Sequence, residues 1–175
     1  ISMARDITER KAAERRVEHL QKFRAAIREV NQLLVRVDNV PELLRKTCET
    51  LMELREYDHA WAAAFGPEGE PQSAVQVGMG EERFAGLVEQ MEAGDTPHCV
   101  EITAGCDSVV SLDDPVVECE ECVLAGQYPG QSALTCRLCA KGESYGVLSV
   151  ALPAEYADDE EERELFAEVA TDLGY

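Results

Sequence analysis

The sequence predicts an α+β domain with a mainly antiparallel sheet, entered through one long helix. Three observations carry this. Residues 6–37 hold apolar side chains at helical spacing. Two pairs of β-patterned runs, His59–Phe65 with Pro71–Val77 and 131–139 with 145–152, are each joined by a short glycine-bearing turn. Amphipathic stretches separate these hairpins, and hairpin-linked strands with flanking helices indicate an antiparallel sheet. With 175 residues, 45% hydrophobic and 29% charged, the chain suits one domain of ordinary size, or a smaller one with an appendage.

In order along the chain, residues 6–37 read as one helix. Leu20, Phe23, Ile27, Val30, Leu34 and Val37 follow a 3-4-3-4-3 spacing, a seam of two positions in seven. Ala13 and Val17 continue it one step out of phase. So narrow a seam favours pairing with another chain, and we expect a parallel homodimer through it; packing on its own domain is the plainer alternative. Residues 41–56 form a second helix, with Leu44, Cys48, Leu51 and Leu54 inward and Cys48 as a core thiol. Strands His59–Phe65 and Pro71–Val77 follow. The helix Glu81–Glu92 has Phe84, Leu87, Val88 and Met91 on one face. Residues 94–107 show no clear period, 108–112 read as a short strand, and 116–130 are irregular apart from a helical segment near 122–127. The second hairpin comes next. A final helix is capped by Asp158 with Glu161 three positions on, and it buries Leu165, Phe166, Val169, Ala170 and Leu173.

Charge narrows the function. The formal net charge is −19, and it is uneven. Residues 1–40 carry nine basic and six acidic side chains; residues 41–175 carry seven basic and 29 acidic. A body so acidic repels phosphate backbones and anionic lipid surfaces, so no nucleic-acid partner and no membrane contact are expected. No apolar run approaches the roughly 20 residues of a membrane-spanning helix. The chain begins at Ile1 without a signal-peptide pattern, and we read it as a piece of a longer cytoplasmic protein. Seven cysteines without a secretion signal point to metal or redox chemistry rather than to a disulfide scaffold.

Two stretches resemble known families. The opening Ala4-Arg5-Asp6-Ile7-Thr8-Glu9-Arg10-Lys11 resembles the exit of a PAS sensory domain, where such a run leaves the last strand and enters a signalling helix. From Val40 onward the order of elements resembles a GAF domain. Glu56-Tyr57-Asp58-His59-Ala60-Trp61, Gly130-Gln131-Ser132-Ala133-Leu134 and Tyr145-Gly146-Val147-Leu148-Ser149-Val150 carry that resemblance, followed by Pro153 and the acidic last helix. It is most similar to modules standing between a PAS domain and a histidine kinase or other output domain. Those often have a Pro-x-Cys and a Cys-x-x-Cys where Pro97-His98-Cys99 and Cys119-Glu120-Glu121-Cys122 stand. The resemblance implies a six-stranded antiparallel sheet with helices on one side and a small-molecule cavity on the other. It also implies cytoplasmic sensing, dimers through the terminal helices, and no catalysis in the module. The Asn-Lys…Phe…Asp-Glu pattern of cyclic-nucleotide-binding members is absent, as is a Cys-His pair of the bilin-attaching type. On this basis residues 1–39 are a PAS-exit and signalling helix and 40–175 a GAF-like sensory domain.

The candidate site is the cysteine segment. Cys119 and Cys122 are spaced to share one tetrahedral ion or to join each other. Cys99 and Cys106 lie in the irregular stretch before the short strand, with His98 as a further ligand. Zn²⁺ or an iron–sulfur cluster would suit the set; a reversible disulfide and unligated thiols stay open beside it. Glu118, Glu120 and Glu121 disfavour a thiolate, so a free Cys119 should be a poor nucleophile. On an alternating strand Cys136 faces the core and Cys139 the other side, so the two cannot hold one ion without a bulge. Trp61 and Tyr128 are candidate cavity-lining aromatics, although Trp61 on a strand reads first as core. The expectation is a non-catalytic signal-input module of a multidomain protein of the sensor histidine kinase type, binding a small ligand or metal or sensing redox state near 94–130. The alternatives are a structural dimerisation spacer without ligand and, more remotely, a methionine sulfoxide reductase.

Overall fold

A computed structural model describes residues 2–37, 39–54, 57–103, 109–119, 122–127 and 129–173. The long helix α1 spans Ser2–Arg36 and α2 spans Val40–Leu54. Strands β1 (His59–Phe65) and β2 (Pro71–Val77) form the first hairpin. Helix α3 (Glu81–Glu92), the short α4 (His98–Glu101), strand β3 (Val109–Leu112), the short α5 (Pro115–Glu118) and a 3-10 turn (Ala125–Gln127) follow. The second hairpin is β4 (Gln131–Ala140) and β5 (Glu143–Pro153), followed by α6 (Ala154–Ala157) and α7 (Glu160–Leu173).

The strands form one antiparallel sheet in the order β2-β1-β5-β4-β3. It has five strands among the described residues, not the expected six. The residues themselves hold only five β-patterned runs. Pro97 and Pro115 start single helical turns in the stretch between α3 and β4, because the proline ring presets a helix-start φ and lacks the N–H a strand ladder needs.

The sheet is buried on both faces. Ala60, Ala62, Leu134, Cys136, Leu138, Leu148, Val150 and Leu152 point to one side and meet α1, α2 and α7. Trp61, Ala63, Ala133, Val147 and Ala151 alternate to the other and meet α3, α4 and the segment after β3. Local signals start the helices. Asn39 Oδ1 accepts from the Glu42 N–H at 2.9 Å while Asn39 Nδ2 reaches the Glu42 carboxylate, a reciprocal cap that sets Pro41 in the first turn of α2. At α7 the capping residue is Asp159, whose Oδ1 accepts from the Glu161 N–H at 3.0 Å; Asp158 instead ends α6. At the end of β2, Gly78 has φ +87°, and an added Cβ there would stand 2.6 Å from the Asp58 carbonyl oxygen.

Three positions of the expected dimer seam are buried inside the chain. Phe23 and Val30 are 0% exposed and Ile27 is 6%, with Leu20 packed beside them, all in the core shared with α2 and α7. Val37 is half-buried, and the side chain of Leu34 lies outside the described residues. The 3-4 spacing also fits a helix lying across two others, and here the domain itself covers Phe23, Ile27 and Val30. Side chains 7–18 of α1 are exposed throughout. Arg16 pairs with Asp159 at 3.2 Å, and Arg24 stands 3.9 Å from Glu161. Exposed pairs of this kind contribute about 0–1 kcal/mol, whereas burying each large apolar side chain contributes about 1.5–3 kcal/mol. Packing holds α1, and the charges orient it.

The Tyr57 hydroxyl donates to the buried Glu162 carboxylate at 2.6 Å, joining α7 to the start of β1. His59 is 5% exposed. Burial pushes its imidazole down to about 4, and Asp58 offsets only part of that.

Phe23→Ala is expected to cost about 3–5 kcal/mol in urea unfolding at a protein concentration where the chain is monomeric. An unchanged midpoint would remove α1 from the core. His59 gives a pH dependence of defined sign. Below the ordinary imidazole value near 6.5 the unfolded chain takes a proton that the folded chain refuses until about 4, so stability falls across that window, by at most about 3 kcal/mol. His59→Phe should flatten this part of the melting profile relative to the unsubstituted protein; parallel profiles would show that His59 is not held neutral.

Candidate functional site

The second face of the sheet carries small residues. Ala63, Ala133 and Ala151 leave room for α3 to lay Phe84, Leu87 and Met91 over it, with Cys99, Val100, Leu112, Cys119 and Leu124 completing the layer. Two hydroxyls interrupt the apolar surface: Thr135 and Ser149 bond each other at 2.8 Å. Trp61 lies beside Ser149 in register and is 1% exposed, and its Nε1 has no hydrogen-bond partner among the described residues. Trp61 therefore belongs to the core, not to an open cavity, while Tyr128 lies outside the described residues.

A concave feature lies at the edge of this layer. A cleft of about 320 Å³ is lined by Gln90, Asp95 and Thr96 from α3 and its exit, His98 and Glu101 from α4, and Val117, Glu118, Cys119 and Cys122 from α5 and the turn beyond. Among the described residues three carboxylates line it and no lysine or arginine does. Gln90 Nε2 donates to Asp95 at 3.0 Å, and its Oε1 is buried without a hydrogen bond among the described residues. His98 Nδ1 stands 3.9 Å from the Glu101 carboxylate.

The structure gathers three of the four sequence-predicted cysteines. Cys119 and Cys122 line the cleft, and Cys99 sits behind it, close enough to both for their charges to interact. Each sulfur faces backbone N–H groups: Cys99 its own and that of Val100, Cys119 that of Cys99, and Cys122 those of Leu124 and Ala125. All three are free thiols. Burial pushes the Cys119 thiol up to about 11, with Cys122 and then Glu118 adding to the shift. Burial raises Cys99 well above the ordinary thiol range, helped by Cys122 and Cys119, and raises Cys122 as well. Acidic neighbours were the expected cause; desolvation is the larger one. Among the described residues no three His, Cys, Asp or Glu side chains are drawn together tightly enough to hold a metal ion. His98 borders the cleft, and Cys106 lies outside the described residues.

The two cysteines of β4 divide. Cys136 is a buried core thiol on the face of Leu134 and Leu138. Cys139 follows a β-bulge after Leu138 and is disulfide-bonded; its partner is none of the five free described cysteines.

Arg137, which sequence reasoning passed over, ties the cleft to the sheet. Its Nη2 donates to the Val100 carbonyl at 3.0 Å and its Nε to that of Thr103, so one guanidinium closes the C-terminal end of α4. The available signal was a lone basic residue inside an apolar strand. The lining residues Gln90, Asp95, Thr96 and Glu101 were also missed; they lie in or beside a stretch without period, where nothing local marks a wall.

A family model of the GAF domain matches residues 39–175, and the chain belongs to that family. No curated protein matches it. Among solved structures it is similar to the GAF domain of a phosphoenolpyruvate-protein phosphotransferase from Coxiella burnetii, at 15% identity and TM-score 0.61, over 89% of this chain and 92% of that one. It is similar also to the GAF domain of a putative sensor histidine kinase from Pseudomonas syringae pv. tomato, at 19% identity and TM-score 0.56, over 95% of this chain and 89% of that one. A third is a free methionine-R-sulfoxide reductase from Neisseria meningitidis in complex with its substrate, at 14% identity and TM-score 0.55, over 87% and 86%. At these identities the likeness is one of fold.

Cys119 is expected to alkylate with iodoacetamide at neutral pH far more slowly than an exposed cysteine. Its rate should rise about tenfold per pH unit toward 11, because the thiolate is the reacting form. Peptide mass spectrometry of the alkylated chain reads this, and a rate already level by pH 8 would mean a stabilised thiolate.

Proposed function

We propose that this chain is the cytoplasmic signal-input module of a multidomain signal-transduction protein of the sensor histidine kinase type. It follows a PAS domain, and its input site is the cleft between α3, α4 and the Cys119–Cys122 turn. GAF domains are in general sensory or ligand-binding modules of signalling proteins, and two of the similar folds come from putative sensor histidine kinases. The PAS-like run at Ala4–Lys11 supports the first neighbour. No described helix is long and apolar enough to cross a membrane.

One observation carries the reading. Arg137 holds the carbonyl end of α4, at the cleft, from strand β4. The neighbouring residues Cys136 and Leu138 point to the other face, into the core formed with α1 and α7. Ordering at the cleft can therefore bias the packing of both terminal helices through one strand, which gives a two-state element with one input. A module working in this way performs no reaction. Desolvation holds both of its cleft thiols in the protonated form, unlike the thiolate that a sulfoxide-reducing cysteine needs.

Arg137→Ala tests this by hydrogen exchange. The expected result is faster amide exchange in 97–103 together with altered protection in α1 and α7. A change confined to 97–103 would favour a spacer that carries no signal from the cleft.

A further inference from the structure

Deepening that reading, we propose that the cleft binds a small aliphatic amine in its protonated form, through hydrogen bonds from the ammonium group to acceptors on α3, α4 and α5. The inference rests on the cleft being the input site. Three features of the molecule select this class of ligand.

The first is an excess of acceptors. Asp95, Glu101 and Glu118 line the cleft, and among the described residues no lysine or arginine does. Such a lining concentrates cations and rejects phosphates and carboxylates. A protein group steadies each carboxylate. Gln90 Nε2 donates to Asp95 at 3.0 Å, the Asp114 N–H donates to Glu118 at 2.9 Å, and His98 Nδ1 stands 3.9 Å from Glu101. Each contact engages one carboxylate oxygen and orients the other.

The second is an unmet donor. Gln90 Oε1 is buried at the cleft and accepts no hydrogen bond among the described residues. A buried acceptor without a donor is costly, and a ligand N–H removes that cost. An ammonium group carries several N–H donors, so it can serve Gln90 and a carboxylate together.

The third is the spacing and the wall. Among the described residues no three His, Cys, Asp or Glu side chains are close enough to share a metal ion. Acceptors spread over three elements suit a cation whose N–H groups reach separate oxygens. Val117, 64% exposed, and the half-buried Cys122 give the carbon chain a surface to lie on. At about 320 Å³ the cleft stands at the small end of ligand sites, which run from roughly 300 to 1,000 Å³. Bridging Glu101 to Asp95 or Glu118 fixes α4 against its neighbours, and Arg137 carries that constraint to β4.

The test uses the full chain, kept reduced, in calorimetric titrations at one ionic strength with n-butylammonium alone and with tetramethylammonium alone. The expected result is one n-butylammonium per chain, with tetramethylammonium, which has no N–H, weaker by about tenfold or more. Asp95→Asn and Glu118→Gln keep an acceptor for the local hydrogen bond, and each should weaken n-butylammonium binding about three- to fivefold, the range of an exposed ion pair. Glu68→Gln, on the exposed turn between β1 and β2, should leave it unchanged. Absence of binding overturns the proposal. So does equal binding of the two cations, or a loss from Glu68→Gln as large as that from Glu118→Gln, since either means general attraction to an acidic chain. The input reading then stands or falls on the Arg137 exchange experiment. Carboxylate-dependent binding that leaves α1 and α7 exchange unaltered keeps the amine site and removes the input reading.

Discussion

The structure depends on burying the central strands on both faces. Residues 146–152 of β5 are buried without interruption, so each side of the sheet needs its own cover. The chain supplies two unlike covers. One is a layer of three substantial helices meeting leucine, valine and cysteine side chains. The other is α3 with a string of single turns meeting mostly alanine. The first is thick and continuous, and the second is thin and has a cleft at its edge. The division follows from side-chain volume. The alanines of the second face let cover approach closely but offer little area to hold it, so polar ties such as Arg137 to the α4 carbonyls complete the attachment.

On the function proposed above, this asymmetry puts the input on the thin side and its readout on the thick side. A segment of short turns can rearrange at lower cost than a three-helix layer, because fewer apolar contacts break. The terminal helices α1 and α7 belong to the thick layer and share one core, so a shift transmitted through β4 reaches both together. The Tyr57–Glu162 bond adds a fixed point, holding the first turn of α7 to the approach to β1.

Much of the fold was legible before any coordinates. The short apolar run His59–Phe65 and the two glycine turns marked the hairpins, because strand length is local and turns demand particular residues. The placement of Leu134, Cys136 and Leu138 on one face followed from the same period. The fate of the α1 seam was not legible. Phe23, Ile27 and Val30 have a spacing that serves a coiled coil and an intramolecular helix layer equally, and only the positions of α2 and α7 separate the two. The sixth strand came from resemblance alone; no residue pattern supported it, and the prolines at 97 and 115 favour turns.

The sequence by itself determined the elements, the acid excess, and the cysteine types from which a site could be built. These depend on composition and on spacings of a few residues. Only the tertiary structure decided which cysteines meet. Cys99 approaches Cys119 and Cys122 across a strand and two turns, while Cys139, despite its Cys-x-x-Cys spacing with Cys136, is turned away at a bulge into a different bond. It also decided that Trp61 is core and that Arg137, unremarkable in the sequence, joins cleft to sheet. The reason is physical: these are contacts between residues far apart along the chain, set by how two layers stack on one sheet, and local periodicity carries no information about that stacking.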